Sequence, residues 1–144
     1  MKSINLKIIA FWFALLGLAL INATIRETTY KPLLEPHIGF WAHQLSSLTG
    51  MGLFFGAIYF FIKKSRYKYS KRELLVMGSV WTAMTIAFEI FMNIFIRHLS
   101  LAEVLATYYF WRGETWIFVL LSILWAPLLV GRIIYPQKAG VRGN

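Results

Sequence analysis

Four polar side chains recur at every fourth position inside an otherwise apolar block: Thr85, Glu89, Asn93 and Arg97. On a helix this spacing sets them along one slowly drifting stripe. Such groups are costly in hydrocarbon, so they turn toward protein or water. A carboxylate there can exchange a proton or neutralise a cation, and a guanidinium can receive phosphate or carboxylate. Upstream, Asn22 and Arg26 are also four apart, with Glu27 following. A further block carries Gly39, His43, Ser46, Ser47 and Gly50 on one helical face, with Gln44 beside them. Arg112 and Glu114 stand in a later polar segment. The expectation is that Arg26 neutralises Glu89 while Asn22, His43 and Asn93 satisfy the remaining hydrogen bonds. The candidate ligand-binding set is then Asn22, Arg26, Glu27, His43, Gln44, Glu89, Asn93, Arg97 and Arg112. A buried acid–base pair can equally fix helix register with no ligand at all.

Other chemistries find less support. The chain has no cysteine, which removes disulfides, thiolate metal sites and cysteine nucleophiles. His37 and His43 are six apart and point to different faces of a helix. No H-x-x-x-H or H-E-x-x-H spacing occurs, so no metal site and no cofactor is expected. Ser46 and Ser47 lack an elbow or triad context, so no catalytic residue is assigned.

These residues must be positioned by membrane helices. The chain of 144 residues is 58% hydrophobic, with a mean hydropathy of +0.60. The excess lies in long blocks at about 4–25, 38–62, 74–96 and 115–135. Each is near the ~20 residues a helix needs to cross hydrocarbon, and lipid forces helices because it cannot satisfy free backbone groups. The first block reads as a span rather than a cleaved leader. Ile21 sits where a small residue is preferred, and Asn22, Arg26 and Glu27 follow directly. The fold class is therefore an all-α integral membrane protein, a four-transmembrane-helix bundle forming a single domain over 1–144.

The net charge of +9 follows membrane topology, and no nucleic-acid motif surrounds it. Eleven Lys and Arg with one carboxylate fall on one side, a balance of +10. Four with five carboxylates fall on the other, a balance of −1. The positive-inside rule then puts both termini and the 63–72 loop in the cytoplasm. Lys63, Lys64, Arg66, Lys68, Lys71 and Arg72 in that loop should attract anionic lipid headgroups.

Finer expectations follow. Ser70 and Glu73 form a capping box, and Ser100 and Glu103 repeat it. After the second, a short interfacial helix is expected over about 101–111, ended by Gly113, in the last outer loop. Tyr108, Tyr109, Trp111 and Trp116 would form an aromatic belt. Pro32 and Pro36 should keep the first outer loop extended, and Pro127 should kink the fourth helix. Ala10, Ala14, Gly17, Gly52 and Gly56 look like close-packing positions.

Asn22–Ala23–Thr24–Ile25–Arg26–Glu27, Ala42–His43–Gln44 with Ser46, Phe88–Glu89, Tyr108, Gly113, Trp116 and Pro127 together resemble a family of small four-span bacterial membrane proteins with no established activity. The resemblance covers most of the chain. It implies the bacterial inner membrane and the same four-helix layout.

Three function classes remain. The first is a binding or accessory protein with a polar outer-leaflet pocket for a lipid headgroup, a quinone-like molecule or a small charged ligand. It needs no unusual chemistry and ranks first. The second is a proton- or cation-coupled transporter using Glu89. Four short helices would then need a homo-oligomer, in the simplest case a dimer. The third is an enzyme acting on a lipid at the periplasmic face through Glu27, His43 or Glu89.

Overall fold

The computed structural model describes residues 6–38, 41–65, 68–106, 108–109 and 116–136; for 30, 31, 34, 35, 38, 41–44 and 46 it describes the backbone alone. Every regular element among them is helical. Helix α1 (Leu6–Ile25) runs on into a π-helical turn, Arg26–Tyr30, and α2 (Lys31–Ile38) follows. Helix α3 (Trp41–Lys64) leads to α4 (Lys71–Phe91), which also ends in a π-helical turn, Met92–Ile96. A short α5 (Leu101–Ala106) precedes α6 (Trp116–Ile134).

Among the described residues, three helical stretches are long and apolar enough to cross a membrane: Leu6–Thr29, Lys71–Ile96 and Trp116–Ile134. Their outward faces suit hydrocarbon. Phe13, Ile21, Phe95 and Ile133 are all exposed, which water would penalise.

Local sequence explains the element ends. The Ser70 hydroxyl accepts from the Glu73 amide, and the Glu73 carboxylate accepts from Ser70 N–H at 2.8 Å. This reciprocal box starts α4. Ser100 and Glu103 repeat it at α5 with nearly identical distances. Two expectations need correction here. The first connection is helical rather than extended: helical backbone continues from α1 through Ile38 with Pro36 inside α2, and the π turn just before Pro32 widens the helix where a proline ring would crowd the preceding turn. Helix α5 stops at Ala106, short of 111, because the Tyr108 and Tyr109 amides bond back to Leu105 and Ala106 in a tight turn. Gly113 and Trp111 lie outside the described residues.

Packing is tightest between α4 and α6, which run antiparallel. A Cβ placed on Gly78 would lie 2.1 Å from the Leu124 carbonyl oxygen, and one on Gly131 would lie 2.3 Å from Leu74 Cδ1. Only glycine permits so close an approach. Helix α1 lies parallel to α4. The Trp81 indole donates to the Ile8 carbonyl at 2.8 Å, and Trp12 donates to Thr85 at 3.1 Å. Both bonds join residues 73 apart, so they fix a single register. Helix α3 runs antiparallel to α1, with Phe11 stacked on Phe61 at 4.2 Å and Asn22 against Gly50. It also packs along α6. Trp81, Ile58, Ile62 and Met77 form the buried centre. Pro127 is buried within α6.

The close-packing positions expected from spacing are not the ones used. Gly17, Gly52 and Gly56 would meet nothing within 4 Å, and Ala10 and Ala14 are exposed. A G-x-x-x-G pattern gives a smooth face but does not say what covers it.

Candidate functional site

The site follows from the register between helices. Trp116, where the described part of α6 starts, is level with Glu89, and α4 with its π turn continues to Ile96. The described part of the connection between them packs beside the end of α4. Val104 of α5 is fully buried, and α5 contacts the π turn. Beyond it, Tyr108 descends to the level of Glu89.

Here the Glu89 carboxylate finds its partners. The Tyr108 hydroxyl donates to Glu89 Oε2 at 2.6 Å. The Trp116 indole N–H donates to the same oxygen at 2.5 Å. Both donors are neutral, and among the described residues no cation pairs with Glu89. Burial, with the neighbouring carboxylate second, pushes the Tyr108 phenol above its ordinary range, so it stays a protonated donor. Trp12 and Phe88 meet edge to face at 6.1 Å on the adjoining surface of α4. The arrangement is a half-buried carboxylate held by two aromatic donors.

The expected Arg26–Glu89 pair does not form. The register that joins residues 73 apart puts Glu89 level with Leu16. Arg26 is ten residues further along, ~15 Å away by helical rise, beyond its reach. It bonds Glu27 instead, with Nε donating at 3.1 Å and a terminal nitrogen at 3.0 Å. The antiparallel pairing of α1 with α3 sets Gly56 at the Glu89 level, so the His43 and Gln44 backbone stands ~20 Å toward the far end of α3. Asn22 faces Gly50, six residues above the Glu89 level. Asn93, one turn past Glu89, is buried and accepts from Arg97 at 3.1 Å. Thr85, one turn before, faces Trp12. The α4 stripe is therefore as expected, but Thr85 and Glu89 bond other elements while Asn93 and Arg97 bond each other. Arg112 and Glu114 lie outside the described residues.

Tyr108 and Trp116 are the residues that spacing missed. They stand at a span end, where aromatic belts are the ordinary reading. Their N–H and O–H donors were the available signal, since a membrane carboxylate must find donors somewhere.

Fold and site define the class: an all-helical membrane protein with a carboxylate held inside a span by neutral aromatic donors. Comparison with protein-family models, with curated proteins and with solved structures finds no match to this chain.

Proposed function

We propose that this is a four-span protein of the bacterial inner membrane, both termini cytoplasmic, that binds a small amine-bearing ligand or lipid headgroup in its outer half. The fourth span is α3, whose 24 residues suffice to cross. The role is binding or accessory rather than catalytic. One observation carries the reading: Glu89 lies seven residues inside the end of its helix, and among the described residues its side-chain partners are two neutral donors. A carboxylate removed from water needs a countercharge or a proton. A protonated amine supplies the charge, and the faces of Tyr108 and Trp116 add cation–π attraction. The candidate arginines favour a cation for the same reason, since Arg26 and Arg97 are engaged by neighbours on their own helices.

The test uses purified full-length protein in micelles. Short-chain phosphatidylethanolamine and short-chain phosphatidylglycerol are titrated while tryptophan emission is followed. A saturable change is expected with the amine headgroup, absent in Trp116→Phe and weakened at least tenfold in Glu89→Gln. Equal response to both lipids, or full response in Glu89→Gln, refutes the proposal.

That no cation pairs with Glu89 among the described residues also supports a second reading, in which Glu89 exchanges a proton for a cation in a homodimeric transporter. Uptake driven by a pH gradient in proteoliposomes, and lost in Glu89→Gln, distinguishes it.

A further inference from the structure

The opposite end of the molecule holds a second site, independent of the Glu89 reading. Where α4 begins and α6 ends, a cleft of about 770 Å³ opens between the 68–70 segment and the last turns of α6. Lys68, Lys71 and Arg132 line it, above a floor that includes Leu74 and Leu128. The Lys68 ammonium lies 5.7 Å from the centre of the Tyr135 ring. Among the described residues none of the three cations has a carboxylate partner. The nearby acid, Glu73, receives both the N–H and the hydroxyl of Ser70 in the cap of α4.

We propose that this cleft binds the phosphate-bearing headgroup of an anionic phospholipid. Its chemistry is two-sided. Three cations from two chain segments converge on one opening, and phosphate is the group that satisfies several such donors together. The floor beneath is leucine, which suits the first carbons of an acyl chain and offers nothing to a free anion. The location agrees: both flanking helices are long and apolar enough to cross a membrane, so their shared end emerges at headgroup depth. Diffuse attraction by the 63–72 run treats its cations alike. The cleft does not, because it takes Lys68 and Lys71 from that run, adds Arg132 from α6, and leaves out Lys63 and Lys64.

The experiment titrates the full-length protein in neutral micelles with short-chain phosphatidylglycerol, read by native mass spectrometry. Phosphatidylcholine of equal chain length and inorganic phosphate serve as comparison probes. One phosphatidylglycerol per chain is expected at saturation. Lys71→Gln and Arg132→Gln should each weaken binding about fivefold, and together ~25-fold. Lys63→Gln with Lys64→Gln should leave it within twofold. Arg132→Lys, which keeps the charge, should retain binding and so separates lost contact from lost folding. Equal weakening by the Lys63/Lys64 pair overturns the site in favour of diffuse attraction. Unchanged binding in the Lys71/Arg132 pair overturns it outright. Equal affinity for phosphatidylcholine overturns the charge argument, and displacement by equimolar inorganic phosphate overturns the lipid assignment.

Discussion

Alanine at Gly78 and alanine at Gly56 should change stability in opposite directions, although both replace a helical glycine. Helix propensity alone favours alanine by ~0.8–1 kcal/mol at either position. At Gly56 the new methyl meets nothing within 4 Å, so that gain should survive. At Gly78 the methyl would lie 2.1 Å from Leu124 O and 2.9 Å from Leu124 C. These are backbone atoms and cannot rotate away, so α4 and α6 must part by about 1 Å. Overpacking of this kind costs ~1–3 kcal/mol, or more where backbone must move. The propensity gain is common to both, so the two substitutions should differ by the overpacking cost, ~1–3 kcal/mol, Gly78→Ala being the less stable. The damage should reach the candidate site, because the same register joins Gly78 to Leu124 and Glu89 to Trp116. Unfolding by SDS in mixed micelles, followed by tryptophan emission, measures both effects. Equal midpoints for the two variants would refute the reasoning, and so would a less stable Gly56→Ala.

Other outcomes follow from single contacts. Tyr108→Phe should cost about 1.5–3 kcal/mol beside Glu89 and less beside Glu89→Gln, because a bond to a charged acceptor exceeds one to an amide; a double-mutant cycle on SDS midpoints should show this non-additivity. Arg26→Met should change stability by less than about 1 kcal/mol, since its pair with Glu27 is largely exposed, and ligand titration should leave its Glu89 site intact. Trp81→Phe should cost about 2–4 kcal/mol in the same unfolding assay, from the lost indole bond to the Ile8 carbonyl and the cavity left behind. The Ser100 hydroxyl and N–H hold the Glu103 carboxyl below its ordinary value. A depressed carboxyl stabilises the folded form above its unfolded pKa and loses that contribution as pH falls through the folded one. Amide protection over Leu101–Ala106, relative to the intrinsic exchange rate at each pH, should therefore fall at strongly acid pH in the native chain, and Glu103→Gln should remove this fall.

Much of the helical layout was legible because hydrocarbon leaves the backbone few choices. Apolar length marked where helices lie, and the two S-x-x-E boxes fixed the starts of α4 and α5 to the residue. The α4 stripe was legible too, since a period of four is a local property. What sequence does not carry is level. Arg26 and Glu89 each sit toward the far end of their helices, and only the Trp81–Ile8 and Trp12–Thr85 bonds reveal that ~15 Å separates them. Glycine shows a similar limit. Gly52 and Gly56 carry the familiar spacing, whereas Gly78 and Gly131 make the contacts, because closeness depends on the partner's surface.

Helix α1 buries only Trp12 and Leu15 among its side chains, whereas α6 buries eight residues, Val119 to Gly131. A ribosome delivers these helices in the reverse order of their grip on the structure. Helix α1 finds its hydrogen-bonding partners, Trp81 and Thr85, only after α3 and α4 have been made. It can close against those two helices at once, whereas the seam between α4 and α6 waits for α6. The loosely held helix is thus placed before the one that buries most side chains arrives to clamp the bundle.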